Sequence, residues 1–335
     1  MKKQNIPYSF LDLAIIGEEK TTAETLKNVL YTAQCAEKEG YTRYWMAEHH
    51  NMPHIASSAT SVLIGYVAGG TQTIKVGSGG IMLPNHPPLV IAEQFGTLEA
   101  LYPNRIDLGL GRAPGTDQLT AMALRRNDLT TANYFPQQIE ELKAFFSLEN
   151  KNAKVRAFPG EGQNVPMWIL GSSTDSAYLA AELGLPYAFA SHFAPEQLQM
   201  AGRIYKNNFK PSVQLEKSYF MPCINVIMAD TQYDAEYLAT SFYRMFLGII
   251  RNDRKPMQKP IHSINGLWSV QEEAMVYQKT ACSFIGTEEE LLHEVQRFSD
   301  ILEVDELMIT TPVYDYEERV KSMAKFARLM QKVNN

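Results

Sequence analysis

The sequence predicts an α/β fold, a (β/α)8 TIM barrel with one long insertion between its seventh and eighth strands. Three observations carry that expectation. Short apolar runs alternate with helical stretches along the 335 residues, the pattern of successive strand–helix units. No hairpin signal joins neighbouring runs. The runs are apolar on both faces, as parallel strands covered by helices must be. An open doubly wound sheet is the competing architecture, and eight strands each followed by helical sequence favour the closed barrel.

Ser9 to Ile16 reads as strand one, apolar with a single acidic interruption. Thr21-x-x-Glu24 is a capping box, and Leu26, Leu30, Ala33 and Ala36 keep helical spacing up to Gly40. Strand two, Arg43 to Ala47, runs into Glu48-His49-His50-Asn51, and a helix follows from about Ala56 to Gly69. Strand three is Ile74 to Leu83. Pro87 and Pro88 open a third helix that reaches Leu101, and strand four is Arg105 to Gly111. Helices and a polar connection occupy the stretch to Pro166, with 151–163 as an excursion on the surface. Strand five is Met167 to Leu170, with a helix from Ala177 to Leu183, and strand six is Tyr187 to Ser191, with a helix from Glu196 to Asn207. Strand seven is Tyr219 to Ala229. The insertion then begins, holding a helix from Tyr233 to Ile250 and a charged, proline-containing segment at 251–260 that reads as mobile. Thr287-x-x-Glu290 caps a further helix, strand eight is Glu306 to Thr311, and a helix from Tyr316 to Gln331 closes the chain. The expected organisation is one domain over 1–335, with the insertion at about 230–285.

Bulk composition narrows the function. Hydrophobic residues are 45% and charged residues 20%, which supports a large core. A net charge of −6 argues against a nucleic-acid surface. Pro7 and Asp12 interrupt the N-terminal stretch, so it does not read as a secretory signal, and no apolar run approaches a membrane span. Cys35, Cys223 and Cys282 are widely spaced, which suits a reducing cytoplasm and excludes a cysteine-based zinc site.

Chemistry in such a barrel sits at the carboxyl ends of the strands. Strand two delivers Glu48, His49 and His50 there; strand three delivers Ser78, Gly79 and Gly80; strand four delivers Gly109, Gly111 and Arg112; strand five delivers Gly171, Ser172 and Ser173, with Ser176 near a helix start; strand six delivers Ser191 and His192. Two neighbouring strands that end in glycine let backbone approach a flat or phosphorylated ligand closely, since no Cβ intervenes. Hydroxyls and free N–H groups at the helix start after strand five suit an anion, and Arg112 adds a bidentate cation. The alternative is that these serines only cap the helix. The loop after strand eight, the more usual phosphate position, has no glycine. Three roles stay open for the Glu48-His49-His50 run. It is a proton-transfer group, a hydrogen-bonded rim, or part of a metal site, although Pro53 disfavours a helical His50–His54 pair and no further ligand cluster stands out. No metal is therefore expected. Gly109-Leu-Gly-Arg-Ala-Pro-Gly115 departs from a dinucleotide fingerprint in its spacing and lacks the acidic residue that should follow.

These residues resemble the bacterial luciferase-like, flavin-dependent monooxygenase family. The resemblance covers nearly the whole chain and is densest in Trp45 to His50, Val76 to Pro84, Arg105 to Gly115, Ile169 to Ser176 with Gly184-Leu-Pro186, Phe284 to Thr287, and Leu307 to Pro312. It implies a barrel that uses FMN, in its reduced form, to activate O2 as a peroxyflavin and oxygenate a small organic substrate, with a separate reductase supplying the flavin. By resemblance His49 is the catalytic acid/base, and Gly79-Gly80 is a non-prolyl cis peptide behind the flavin ring. Arg112, Ser172, Ser173 and Ser176 meet the flavin phosphate, with Glu48, Ser78 and Gly171 beside them, and 251–260 belongs to a lid. Luciferase proper has a reactive cysteine where this chain has Gly111, which argues against light emission and leaves flavin binding untouched. An F420-dependent dehydrogenase on the same fold and a non-catalytic flavin-binding protein are the rival readings. Tyr8, Phe10, His192, Phe193 and Trp268 are the expected substrate-pocket residues. The chain is expected to be cytoplasmic, and apolar faces on the second and third helices allow a homodimer.

Overall fold

Nine parallel strands define the sheet of the computed structural model, which describes residues 5–125 and 129–335. They are β1 (Tyr8–Asp12), β2 (Arg43–Met46), β3 (Lys75–Met82), β4 (Ile106–Gly111), β5 (Met167–Gly171), β6 (Tyr187–Phe189), β7 (Phe220–Met228), β8 (Ser283–Gly286) and β9 (Leu307–Thr310). Eight close into a ring in the order β1-β2-β3-β4-β5-β6-β7-β9, with β9 returning to β1. The expected (β/α)8 barrel is therefore present, and β8 lies outside it. Around the ring run α1 (Thr22–Lys38), α2 (Thr60–Gly69), α3 (Pro88–Leu101), α4 (Gln118–Leu124), α5 (Phe135–Phe146), α6 (Thr174–Leu183), α7 (Leu198–Asn208), α8 (Gln232–Ile250), α9 (Val270–Lys279), α10 (Glu288–Leu302) and α11 (Tyr316–Asn334). Among the described residues no helix is long and apolar enough to cross a membrane.

Alternation along each strand sorts side chains between two compartments. Tyr8 and Phe10 of β1, with Tyr44 of β2, point outward into the layer between ring and helices. Leu11, Trp45, Trp168, Met221 and Met308 point inward and pack together in the barrel lumen. Tyr8 and Phe10 are thus helix-packing residues, which corrects their expected place in the substrate pocket. Trp268 is also displaced from it: its ring lies 6.1 Å from Tyr243 and 5.9 Å from Tyr277, in a satellite core under α8 and α9.

The amino-terminal end of the barrel is closed by a buried polar cluster. Arg43 Nη1 donates to Asp107 Oδ2 at 2.7 Å and its Nε donates to Glu306 Oε1 at 2.8 Å. Trp45 Nε1 donates to Asp107 at 3.1 Å, Tyr219 donates to Glu306 at 2.8 Å, and the Ser9 hydroxyl donates to Glu306. The guanidinium lies 4.7 Å from the Trp168 ring centroid. Two carboxylates against one cation hold Arg43 protonated despite its burial.

Three local departures from the expected elements have physical causes. Strand one stops at Asp12, because Ala14 turns into the left-handed region (φ 50°) and donates its N–H to Asp12 Oδ1 at 2.8 Å. The acidic interruption is a buried ion pair, Asp12 to Arg319 at 2.7 Å. In the insertion, α9 and β8 are additional elements: a second capping box, Ser269 with Glu272, starts α9, and β8 pairs with Asn225–Met228, the far end of the nine-residue β7. Within 251–260, Met257 is buried and tied to the loop after β1 by Met257 N–H to Ile16 O at 2.9 Å and Glu18 N–H to Met257 O at 2.8 Å.

Candidate active site

A cavity of about 640 Å³ opens at the carboxyl ends of the ring strands, where the sequence pattern locates the chemistry. One side is glycine. The register between β3 and β4 shifts after Ser78, the Gly79–Gly80 peptide is cis as the resemblance implies, and Gly79 faces the cavity. Ser78 anchors this bulge from behind: its hydroxyl donates to Gly109 O at 2.9 Å and accepts from Gly109 N–H at 3.0 Å. The approach is so close that a Cβ on Gly109 would fall 2.1 Å from Ser78 O.

At one end of the cavity lie Arg112, Gly171, Ser172, Ser173 and Ser176. Arg112 is exposed and held by Asp175, Nη2 to Oδ2, at 3.4 Å. Ser173 is the N-cap residue of α6, yet its side chain makes no capping hydrogen bond. The capping alternative therefore fails at Ser173. Ser176 turns its hydroxyl inward, donating to Ser173 O at 2.7 Å and lying 2.9 Å from the Tyr187 hydroxyl. Gly171 makes that possible, since a Cβ there would sit 2.0 Å from Ser176 Oγ. A cation, an unused N-cap hydroxyl and a helix start suit a phosphate.

Histidines also line the cavity. His49 Nδ1 lies 3.3 Å from Gly115 O. A carbonyl only accepts, so Nδ1 bears the proton and Nε2 keeps its lone pair. Desolvation lowers the His49 pKa, outweighing the Gly115 hydrogen bond, with Arg254 also contributing to the fall. Burial, with His49 nearby, pushes His192 down to about 3. Both imidazoles are neutral near pH 7. His192 and Phe193 line the cavity as expected, with Leu11, Leu13, Met52 and Arg254.

Glu48, Ser78 and Gly80 stand behind this wall rather than on it. Glu48 is buried and organises the rim: Oε1 accepts from His50 Nε2 at 2.8 Å and His86 Nε2 at 2.9 Å, and Oε2 accepts from Met82 N–H at 3.0 Å. Burial would raise its pKa, but these donors outweigh it and bring the carboxyl down to about 2. Glu48, His50 and His86 offer ligand atoms within 4.8 Å of one another, a geometry that suits a cation as well as shared protons. His86 and Arg254 are the site residues that sequence reasoning missed. His86 had a readable signal, an imidazole just after the glycine strand; Arg254 had only its place in a charged run.

Comparison with known proteins identifies the family. A profile of the luciferase-like monooxygenases matches residues 7–302. This chain belongs to the luciferase-like monooxygenase family. A relative in Escherichia coli K12 called luciferase-like monooxygenase is 50% identical over 322 residues, 96% of each chain. The N-acetyl-S-alkylcysteine monooxygenase of Bacillus subtilis is 35% identical over 330 residues, 94% of this chain and 95% of the relative. The crystal structure of apo-MsnO8 superposes with a TM-score of 0.87 at 26% identity, covering 97% of this chain and 98% of that one. The luciferase-like family membership makes the chain an oxidoreductase of the monooxygenase type.

Proposed function

We propose that this family member is an FMN-dependent monooxygenase that uses reduced FMN, O2 and a small organic substrate, with a separate reductase supplying the flavin. The observation that carries this reading is the lining of one cavity by a Cβ-free Gly79 wall, an Arg112–Ser172–Ser173 end and a neutral His49. When bound, reduced flavin supplies the electrons that activate O2. The chain does the rest. Arg112, Ser172, Ser173 and the start of α6 hold the phosphate, and Ser176 and Gly171 shape that turn. Gly79, backed by Ser78 and Gly80, gives a flat ring a surface without side chains. His49 Nε2 takes or returns a proton while Nδ1 stays tied to Gly115 O. Glu48 keeps the strand-two end in place through His50 and His86. The 230–285 insertion serves as a lid that excludes water during turnover. A homodimer packed through α2 and α3 covers the exposed Val62, Tyr66 and Val90.

Anaerobic titration with FMNH2, then rapid mixing with O2, tests the reading. Saturable binding and a transient absorbance band at roughly 370–380 nm are expected. Arg112→Ala should weaken FMN about tenfold or more and abolish preference over riboflavin, since one charge-assisted phosphate contact is lost. His49→Ala should bind flavin normally and lose roughly 10²–10⁴ in turnover. Binding of F420 without FMN would transfer the site to hydride chemistry. Binding without turnover, indifferent to His49→Ala, would make it a carrier.

A further inference from the structure

We infer that the substrate is a small organic acid with an apolar body, and that Arg254 holds its carboxylate. This rests on the monooxygenase reading above and names the substrate class of the same cavity.

The charged segment after α8 provides the first argument. Arg251 pairs with Glu272 at 2.6 Å, Lys255 with Asp253 at 2.6 Å, and Lys259 with Glu19 at 2.5 Å. Arg254 has no carboxylate partner among the described residues. Its contact is Nη1 to Met52 Sδ at 3.7 Å, a weak acceptor. Arg254 also lines the cavity, whereas Arg251, Lys255 and Lys259 do not. The segment thus neutralises three of its cations and leaves the one that faces the reaction space unmatched.

Location provides the second argument. The cavity is lined by two cations, Arg112 and Arg254. Arg112 stands with the serines and Asp175, where a cofactor phosphate belongs. Arg254 stands with the histidines, and its charge is felt at both His49 and His54, whose protonation it opposes. An anion held there lies beside the proton-transfer residue rather than at the cofactor end.

An independent observation is His192. It is 8% exposed, lines the cavity, and its Nδ1 has no hydrogen-bond partner. A buried, unsatisfied imidazole nitrogen costs free energy unless something completes it. A neutral imidazole and one guanidinium lining the same cavity suit a monoanion. A dianionic phosphate would call for a second cation. Guanidinium geometry matches a carboxylate in bidentate fashion. Leu11, Leu13 and Phe193, lining the same cavity, supply an apolar wall for the rest of the molecule.

Calorimetric binding to the FMN-loaded protein tests this with matched acid and primary-amide pairs: N-acetyl-S-methylcysteine and its amide, and hexanoate and hexanamide. At least one acid should bind about tenfold tighter than its amide. Arg254→Met should erase that ratio, and Arg254→Lys should keep part of it, with FMN affinity unchanged in both. Arg254 is exposed, so neither variant threatens folding. Equal binding of acid and amide, no binding of any acid, or an acid preference that survives Arg254→Met would each overturn the inference. The FMN titration run alongside keeps the two readings apart. If FMN fails to bind, the same pairs are measured on flavin-free protein carrying Arg112→Ala. An acid preference that persists there and depends on Arg254 leaves the inference standing while the flavin reading falls.

Discussion

Glu48 accepts four hydrogen bonds, and His192 is buried beside another imidazole; together they set how the fold responds to acid. The His192 pKa is depressed to about 3, so its unfolded form takes up a proton below roughly pH 6.5 while the folded form does not. Stability held above pH 6.5 is lost as pH falls towards 3. Glu48 is depressed to about 2, so its contribution is present above its ordinary value near 4.5 and disappears as pH falls from 4.5 towards 2. Urea midpoints measured between pH 8 and 4 should therefore drop below pH 6.5. His192→Asn should flatten that limb by up to one proton, about 1.4 kcal/mol per pH unit. An unchanged slope would show that this imidazole is not the sensor. The Glu48-His49-His50 run was legible because three titratable side chains follow an apolar strand. The tautomer of His49 was not, since it depends on Gly115, 66 residues away. Nor was the bond between Glu48 and His86, which needs β2 and β3 side by side.

Helix starts were readable wherever the signal is local. Thr21 with Glu24 and Thr287 with Glu290 both form reciprocal capping boxes, as the three-residue spacing predicts. Ser269 with Glu272 carries the same signature and went unread inside an insertion that looked irregular. Strand ends were less legible. The stop at Asp12 depends on a left-handed alanine, and β8 exists only because β7 overhangs the ring. The glycines of β3 and β4 were read as a close approach, and they are one. Gly109→Ala would drive a Cβ to 2.1 Å from the Ser78 carbonyl and 2.7 Å from a Leu170 methyl. Backbone cannot yield there as a flexible side chain does. A loss of about 2–3 kcal/mol is expected in denaturant unfolding. A change under 0.5 kcal/mol would mean that β3 and β4 part more easily than their packing implies.

Closure of the ring followed from counting strand–helix units, because each parallel strand must find a neighbour and the eighth meets the first. What the count could not reveal is how the lumen is filled. Arg43, Asp107 and Glu306 are scattered over 263 positions and meet only because β2, β4 and β9 converge. Arg43→Met should cost about 3–5 kcal/mol, since two buried carboxylates lose their cation. A double-mutant cycle with Asp107→Asn should recover part of that loss. Full additivity would place the two residues in separate networks.

That charged stopper has a kinetic meaning. With the base of the lumen filled by Arg43, Trp45 and Trp168, the described cavity opens at the strand ends. On the proposed function, whatever rests deepest must arrive first and depart last. The order of traffic through the cavity is therefore written into its dead end.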